Sequence, residues 1–377
     1  MFKKIFSLSI IFVLCTNLIS QPLKDSIELK FLIDRAYSDY DARNFSSMQV
    51  NLNKSYVLMS NRIGFKNIYF VHHQKLKSLM YINLFKFDSA LFYINNATNV
   101  LQKYCPDSLN DQAIVFRIKA HVLRNLDMCD SAAYWLHKVQ QIQVKINASL
   151  RQKSITYYFL AQAFYCNREY RQSIFYYQKS LEYYEKNVDL STADIYQDLA
   201  LCYQYLNIYD TSLVFFHKSL VVHKNFNFPD KQKLALLYNN FAAYFYTIYN
   251  IDSMSYYINK SISIYESIFS ENSLQLIDIY NNMAVFYQST YQYEKSNDYI
   301  QKALRIANKY YKLTNPKVFN IILNLANNLF YLEQYSLALD YYTMFLPEIE
   351  TINDNSSMLR IYTNIAYLYE AQKNYDK

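Results

Sequence analysis

Arg117, His121 and Arg124 stand at i, i+4 and i+7, so a helix through them carries all three on one face. Two guanidiniums flanking an imidazole suit carboxylate recognition, because charge-assisted hydrogen bonds from the guanidinium fork match a carboxylate's geometry. The other reactive residues are scattered. His72 and His73 are adjacent, and neighbours on a helix point in different directions, so a shared metal is not expected. Cys105, Cys129, Cys166 and Cys202 show no CxxC spacing, which points to small buried or half-buried thiols and leaves a Cys166 to Cys202 bridge open. There is no glycine-rich phosphate loop, no HExxH, no nucleophile elbow and no paired-acid motif. These residues predict no catalytic site, no cofactor and no metal, and leave the surface to carry the function.

The elements that must present that surface are helices. In "YNNMAVFYQSTYQYEKSNDYIQKALRI", residues 280–306, Tyr280, Met283, Ala284 and Tyr287 form one apolar stripe at helical spacing. Ser296, Tyr299, Ile300 and Ala303 form a second after a polar break at Gln292 to Lys295. The stretch reads as two short amphipathic helices and a tight turn. Neither helix can bury its stripe alone, so copies must stack on it.

The copies are present along the whole chain. With Ala284 as a register mark, equivalent positions are Ala36, Ser78, Ala120, Ala161, Ala200, Ala242, Ala326 and Ala366, at steps of 39 to 42 residues. Twelve residues after the first eight marks come Met48, Ala90, Ala132, Ser173, Ser212, Met254, Ser296 and Ala338, where a second helix meets the first. Four before the marks and nine after them, bulky residues predominate, Tyr196, Tyr238, Tyr170 and Tyr293 among them.

A bulky residue, a small one four later, an aromatic three beyond it and a second small residue twelve past the first resemble the tetratricopeptide repeat, or TPR, a helix-turn-helix unit. The resemblance covers about residues 29–377 and implies an all-α fold, an α-solenoid of stacked hairpins forming a superhelix, with about nine units and the last incomplete. The usual period is 34, so the longer step implies roughly one extra turn on each helix. Such long units resemble those of kinesin light chains and of exported bacterial TPR proteins, including those that precede a CHAT-type peptidase. Agreement is best from Ala161 onward; Gln74 and Asp39 stand where aromatics are expected.

Composition fits that expectation. One glycine and five prolines in 377 residues leave little turn chemistry for a sheet protein, while 52% apolar and 18% aromatic residues suffice for a core. Pro106, Pro229 and Pro316 all fall between consecutive units. A stacked array is read as one solenoid despite its length. The N-terminus differs: Lys3, Lys4, an apolar run from Ile5 to about Cys15 and Leu18-Ile19-Ser20 before Gln21 have the layout of a cleavable secretory signal over residues 1–20. Residues 21–28 are then a lead-in. The exported chain is expected in the periplasm or outside the cell, without membrane insertion after the signal is removed. Its formal charge of +7 falls to +5 when Lys3 and Lys4 leave, with acids interspersed, which argues against nucleic acid as partner.

The TPR resemblance also implies a concave groove that holds a peptide or partner protein, lined by positions three before, one after and four after each mark. Two zones result. Lys75, Arg117, His121 and Arg124, with His72 nearby, form a cationic zone suited to an acidic segment or a C-terminal carboxylate. Gln197, Gln204, Asn239, Tyr246, Asn281, Gln288 and Asn327 form an amide-rich zone able to hydrogen-bond an extended backbone from both sides. Asn240, Asn282 and Asn324, two before their marks, match a scaffold position of the repeat. The carboxylate-clamp pattern of chaperone-binding TPRs, a Lys and an Asn four apart, is not reproduced, since Leu79 follows Lys75 and His121 follows Arg117. The chain stops eleven residues after Ala366, inside a ninth unit. That leaves two expectations for function: an exported interaction scaffold, or the sensing arm of a CHAT-type peptidase, sensor kinase or transcription regulator whose effector lies beyond Lys377.

Overall fold

The computed structural model describes residues 21–226, 230–270, 273–311, 316–344, 346–347 and 355–372. Among them the chain is helical, without strands, and divides into two compact units between Ser212 and Leu213. The first unit contains α1 (Gln21–Asp41), α2 (Phe45–Leu58), a π-helical turn (Met59–Ile63), α3 (Ile68–Asn83), α4 (Phe87–Tyr104), α5 (Leu109–Asn125), α6 (Cys129–Lys145), α7 (Leu150–Cys166), α8 (Tyr170–Tyr184) and α9 (Leu190–Tyr205). Helix α10 (Tyr209–Asn225) carries the boundary. The second unit continues with α11 (Lys231–Thr247), α12 (Ile251–Ile268), α13 (Gln275–Ser289), α14 (Tyr293–Tyr310), α15 (Pro316–Tyr331), α16 (Tyr335–Thr343) and α17 (Asn355–Ala371). Within each unit the helices pack as stacked antiparallel hairpins, an α-solenoid. The expected signal lies outside the described residues, and residues 21–28 are the first turns of α1 rather than a separate lead-in.

Small residues set how closely the helices approach. Each mark from Ala36 to Ala326 is buried, as is each residue twelve later from Met48 to Ala338. Where that second residue is serine, its hydroxyl donates to the backbone carbonyl of the mark: Ser173 to Ala161 at 2.8 Å, Ser212 to Ala200 at 2.8 Å, Ser296 to Ala284 at 2.7 Å. In the second hairpin the polarity is reversed, and Ser78, the mark itself, donates to Ala90 at 2.9 Å. Each such bond contributes about 1 kcal/mol and satisfies a hydroxyl that would be costly to bury unpaired. Ala366 is exposed.

Aromatic rings lock the same hairpins one turn further on. The residue three past the mark stacks on the residue fifteen past it: Tyr81 on Tyr93, Phe164 on Tyr176, Phe245 on Tyr257 and Tyr287 on Tyr299, with ring centroids 5.3 to 5.4 Å apart. Such pairs add about 0.5–1.5 kcal/mol beyond their buried area. In the first hairpin the places are taken by Asp39 and Asn51, whose amide donates to the carboxylate at 2.7 Å.

Every hairpin turn uses one geometry. The seventh residue after each of the first eight marks has positive φ: Arg43, Phe85, Asp127, Arg168, Asn207, Tyr249, Tyr291 and Glu333. The next N–H reaches back five residues to the helix, as in Lys86 to Tyr81 and Gln292 to Tyr287, satisfying carbonyls that the helix end leaves open. None of the eight is glycine, so every turn carries backbone strain. Some helix starts are capped by side chains, with capping boxes at Ser149 and Asp189 and single caps at Asn67 and Asp230 among them. In the second unit one apolar core runs from Ala235 to Leu368, built on α11 to α17.

Neighbouring hairpins join through positions nine after one mark and five after the next. Tyr170 stacks on Tyr205 at 4.9 Å and Tyr293 on Tyr331 at 5.0 Å. Between the third and fourth hairpins the same positions are Cys129 and Cys166, and they form a disulfide with Cα atoms 6.0 Å apart. The bridge left open between Cys166 and Cys202 is therefore replaced: Cys202 is a free buried thiol whose sulfur lies 3.3 Å from the Ser173 hydroxyl.

Candidate functional site

The register places groove positions on the first helix of each hairpin, α1, α3, α5 and onward. In the first unit those side chains are largely consumed by one another. Lys75 is buried, its ammonium 5.0 Å over the Tyr37 ring, and burial lowers its pKa against the opposing pull of Asp111. The Tyr37 hydroxyl donates to His72 Nδ1 at 3.0 Å, and His72 Nε2 lies 3.3 Å from Asp111, so a single imidazole tautomer serves both. The chain has the outline of a catalytic relay. Burial first, then Asp111 and Asp34, raises the Tyr37 pKa, so this phenol is held as a donor and not as a base. Asp111 also sets a carboxylate inside the expected cationic zone, and its pKa is held down chiefly by the hydrogen bond to His72.

Arg117, His121 and Arg124 share one face of α5 as the spacing required, and all three are half-buried. Burial, reinforced by Arg124, pushes the His121 pKa down to about 4, so the imidazole is neutral and contributes no charge to the zone at pH 7. Burial also lowers the Arg117 pKa. The Arg124 Nε is buried without a hydrogen-bond partner. Its charge acts on Asp198, a residue the sequence reading missed. Asp198 accepts from the Tyr177 hydroxyl at 2.8 Å and from Gln162, while burial dominates and raises its pKa to about 6. Gln162 in turn donates to the Tyr158 hydroxyl at 2.8 Å. Tyr158 and Gln162 sit three before and one after Ala161, so the groove rule itself points to them. Asp198, two before its mark, occupies the scaffold position and gave no such signal. Gln197 and Gln204 lie in this unit and are half-buried, the Gln204 side-chain oxygen buried without a partner.

The second unit is built differently. Its groove positions are amides linked from hairpin to hairpin: Asn282 Nδ2 donates to Asn239 Oδ1 at 3.0 Å, and Asn324 Nδ2 to Asn281 Oδ1 at 2.9 Å. The residues two before the mark therefore act as scaffold, tying one first helix to the preceding one. With their oxygens engaged, Asn239 and Asn281 keep side-chain N–H donors for a ligand. Asn327 Oδ1 accepts from both Tyr342 at 2.7 Å and Asn364 at 2.9 Å.

Next to this ladder Tyr246, Gln288 and Asn327 converge on one cavity of about 720 Å³, completed by Tyr331, Tyr367 and Glu370 among others. Tyr367 and Glu370 are one and four past Ala366, the groove positions of α17. Five of the eleven candidate residues thus belong to this unit, and three line its cavity. Among the described residues no group of three or more His, Cys, Asp or Glu could hold a metal ion, and no helix is long and apolar enough to cross a membrane.

Residues 275–346 match a family model described as tetratricopeptide repeat. No curated protein matches the sequence. Solved structures share the fold at low identity. The apo form of the quorum sensor NprR from B. thuringiensis aligns with a TM-score of 0.68 at 14% identity, over 92% of this chain and 94% of that one. NprR in complex with its cognate peptide NprX aligns with a TM-score of 0.56 at 14% identity, over 90% of this chain and 99% of that one. A signal transduction ATPase with a tetratricopeptide repeat sensor from Pyrococcus horikoshii gives 0.60 at 17% identity, over 89% of this chain and 50% of that one. The tetratricopeptide-repeat match thus spans α13 to α16, and the fold the chain shares with these structures is an α-solenoid of stacked helical hairpins.

Proposed function

We propose that this protein is an exported interaction scaffold that holds an extended peptide, or an extended segment of a protein, in the groove of its second unit. The observation that carries the reading is the amide ladder: Asn239 and Asn281 have their oxygens engaged by the next hairpin and their N–H groups left to meet backbone carbonyls of a ligand. NprR, which shares the fold, is seen with a cognate peptide, and that supports a peptide as the class of ligand. An acidic or C-terminal carboxylate ligand for the first unit is supported by Arg117 and Arg124 alone, since Lys75 is buried with its ammonium over the Tyr37 ring. Export rests on the Lys3-Lys4 and apolar leader, and the N-terminus of the secreted protein should be Gln21.

The test uses the full chain, immobilised, and a library of random heptapeptides capped at both ends. Retention of a subset is expected, and the Asn239→Ala, Asn281→Ala double variant, checked for unchanged helicity, should lose it. A library that passes through unretained contradicts the reading. A second reading, a sensing arm of a larger signalling protein, is favoured by the likeness to a signal transduction ATPase with a tetratricopeptide repeat sensor, of which this chain covers half. An effector domain encoded in frame after Lys377 is its expected signature, and a stop codon within a few residues removes it.

A further inference from the structure

The cavity of the second unit has an uneven chemistry. Six of its lining residues are tyrosines, its single charged side chain is Glu370, and no lysine, arginine or histidine lines it. Tyr246, Tyr291, Tyr331 and Tyr367 are between 43% and 81% exposed, well above a buried ring. Elsewhere the chain caps such rings with its own cations. Lys302 lies 4.7 Å over Tyr299, Lys260 4.8 Å over Tyr256, and Lys119 4.0 Å over Trp135. Among the described residues no lysine or arginine stands over any of the four cavity tyrosines, and Glu370 forms no ion pair.

The backbone adds to the bias. Gln288 and Ser289 close α13, Phe330 and Tyr331 close α15, and Glu370 and Ala371 close α17, so three helices bring their C-terminal ends to this cavity. The negative end of a helix dipole favours a cation within its last turn. Aromatic faces attract an ammonium or guanidinium within about 6 Å. A carboxylate supplies the charge-assisted hydrogen bond that orients it.

We infer that this cavity receives a lysine or arginine side chain of the bound segment, with Glu370 as its ion-pair partner and Tyr331 and Tyr367 as its walls. The inference rests on the peptide reading above and adds a side-chain preference to it. It is also opposite in sign to the preference that Arg117 and Arg124 give the first unit. A segment that is acidic throughout would be rejected here, and one with a basic residue placed over the α13 to α17 ends would be retained.

The experiment is a positional scan. Capped heptapeptides with Lys, Arg, Glu, Leu or Ser fixed at each position in turn are offered to the full-length wild type, to Glu370→Gln and to Tyr367→Leu. Both substituted side chains are exposed, so the fold is expected to survive, and circular dichroism checks it. The expected result is enrichment of Lys and Arg at one position in the wild type, with affinity for those peptides falling about tenfold in each variant. Retention without a basic preference, or a basic preference that Glu370→Gln leaves intact, overturns this inference while the amide-ladder reading stands. No retention of any heptapeptide by the wild type overturns both.

Discussion

The two units put the same register positions to different use. In the first, ionisable and phenolic groups at groove positions and beside them largely satisfy one another: Lys75 with Tyr37, His72 with Tyr37 and Asp111, Asp198 with Tyr177 and Gln162. In the second they carry amides and exposed tyrosines, whose ladder leaves donors free and whose cavity stays open. The lesson is that a repeat fixes where a side chain stands, while the neighbouring repeats decide whether it is available. A cation at a groove position is no binding residue once the next first helix supplies its carboxylate.

The sharpest way to break the contrast is acid. His73 and His121, both in the first unit, have pKa values pushed down to about 4 by burial. Their folded pKa lies below the usual 6.5, so their neutral form stabilises the fold fully above that value, and the contribution is lost as pH falls through 4. Between pH 7 and pH 4.5 each should remove on the order of 2–3 kcal/mol. Trp135, the chain's one tryptophan, lies in this unit and reports it. Its fluorescence in urea titrations should show an earlier midpoint at pH 4.5, and the His73→Asn, His121→Asn double variant should lose most of that shift.

Asp198 moves the other way. Its folded pKa of about 6 lies above the ordinary carboxylate value, so its stabilising contribution is present at low pH and is lost as pH rises through 6. Asp198→Asn should therefore raise first-unit stability by on the order of 2 kcal/mol at pH 7 and by almost nothing at pH 4. A variant equally stabilised at both pH values would show that a buried charge is not what limits this unit.

The smallest expected effect compares turns. Tyr249 in the second unit and Phe85 in the first have positive φ and are largely exposed. Tyr249→Gly should stabilise by about 0.5–1 kcal/mol, since glycine relieves strain at a cost in unfolded-chain entropy. Phe85→Gly should gain less, because it gives up the edge contact with Phe87 at 6.4 Å. Thermal melts of the two variants rank them.

The hairpins were legible in the sequence because their closure is local. Alanine or serine at the mark, a small or flexible residue twelve later and an aromatic three past the mark repeat often enough to be seen, and each proved to be a packing or hydrogen-bonding position. The turn residue was not legible: Arg, Phe, Asp, Asn, Tyr and Glu all occupy the left-handed position, so no residue type marks it. The candidate groove residues fall on the first helices α3, α5, α9, α11, α13 and α15, but their availability was not readable. Asp111 is 36 residues beyond Lys75, and only stacking brings the two together. The same holds for Cys129 and Cys166, which replace a tyrosine stack in the register and share no motif spacing.

The central claim is that a ligand is held by the second unit and not by the first. Hydrogen exchange of the wild-type chain, with and without a heptapeptide it retains, tests this most directly. Slowed exchange should appear in α11, α13 and α15, where Asn239, Asn281 and Asn327 stand. Slowing confined to α3, α5 and α7 would contradict the account and return the site to Arg117 and Arg124.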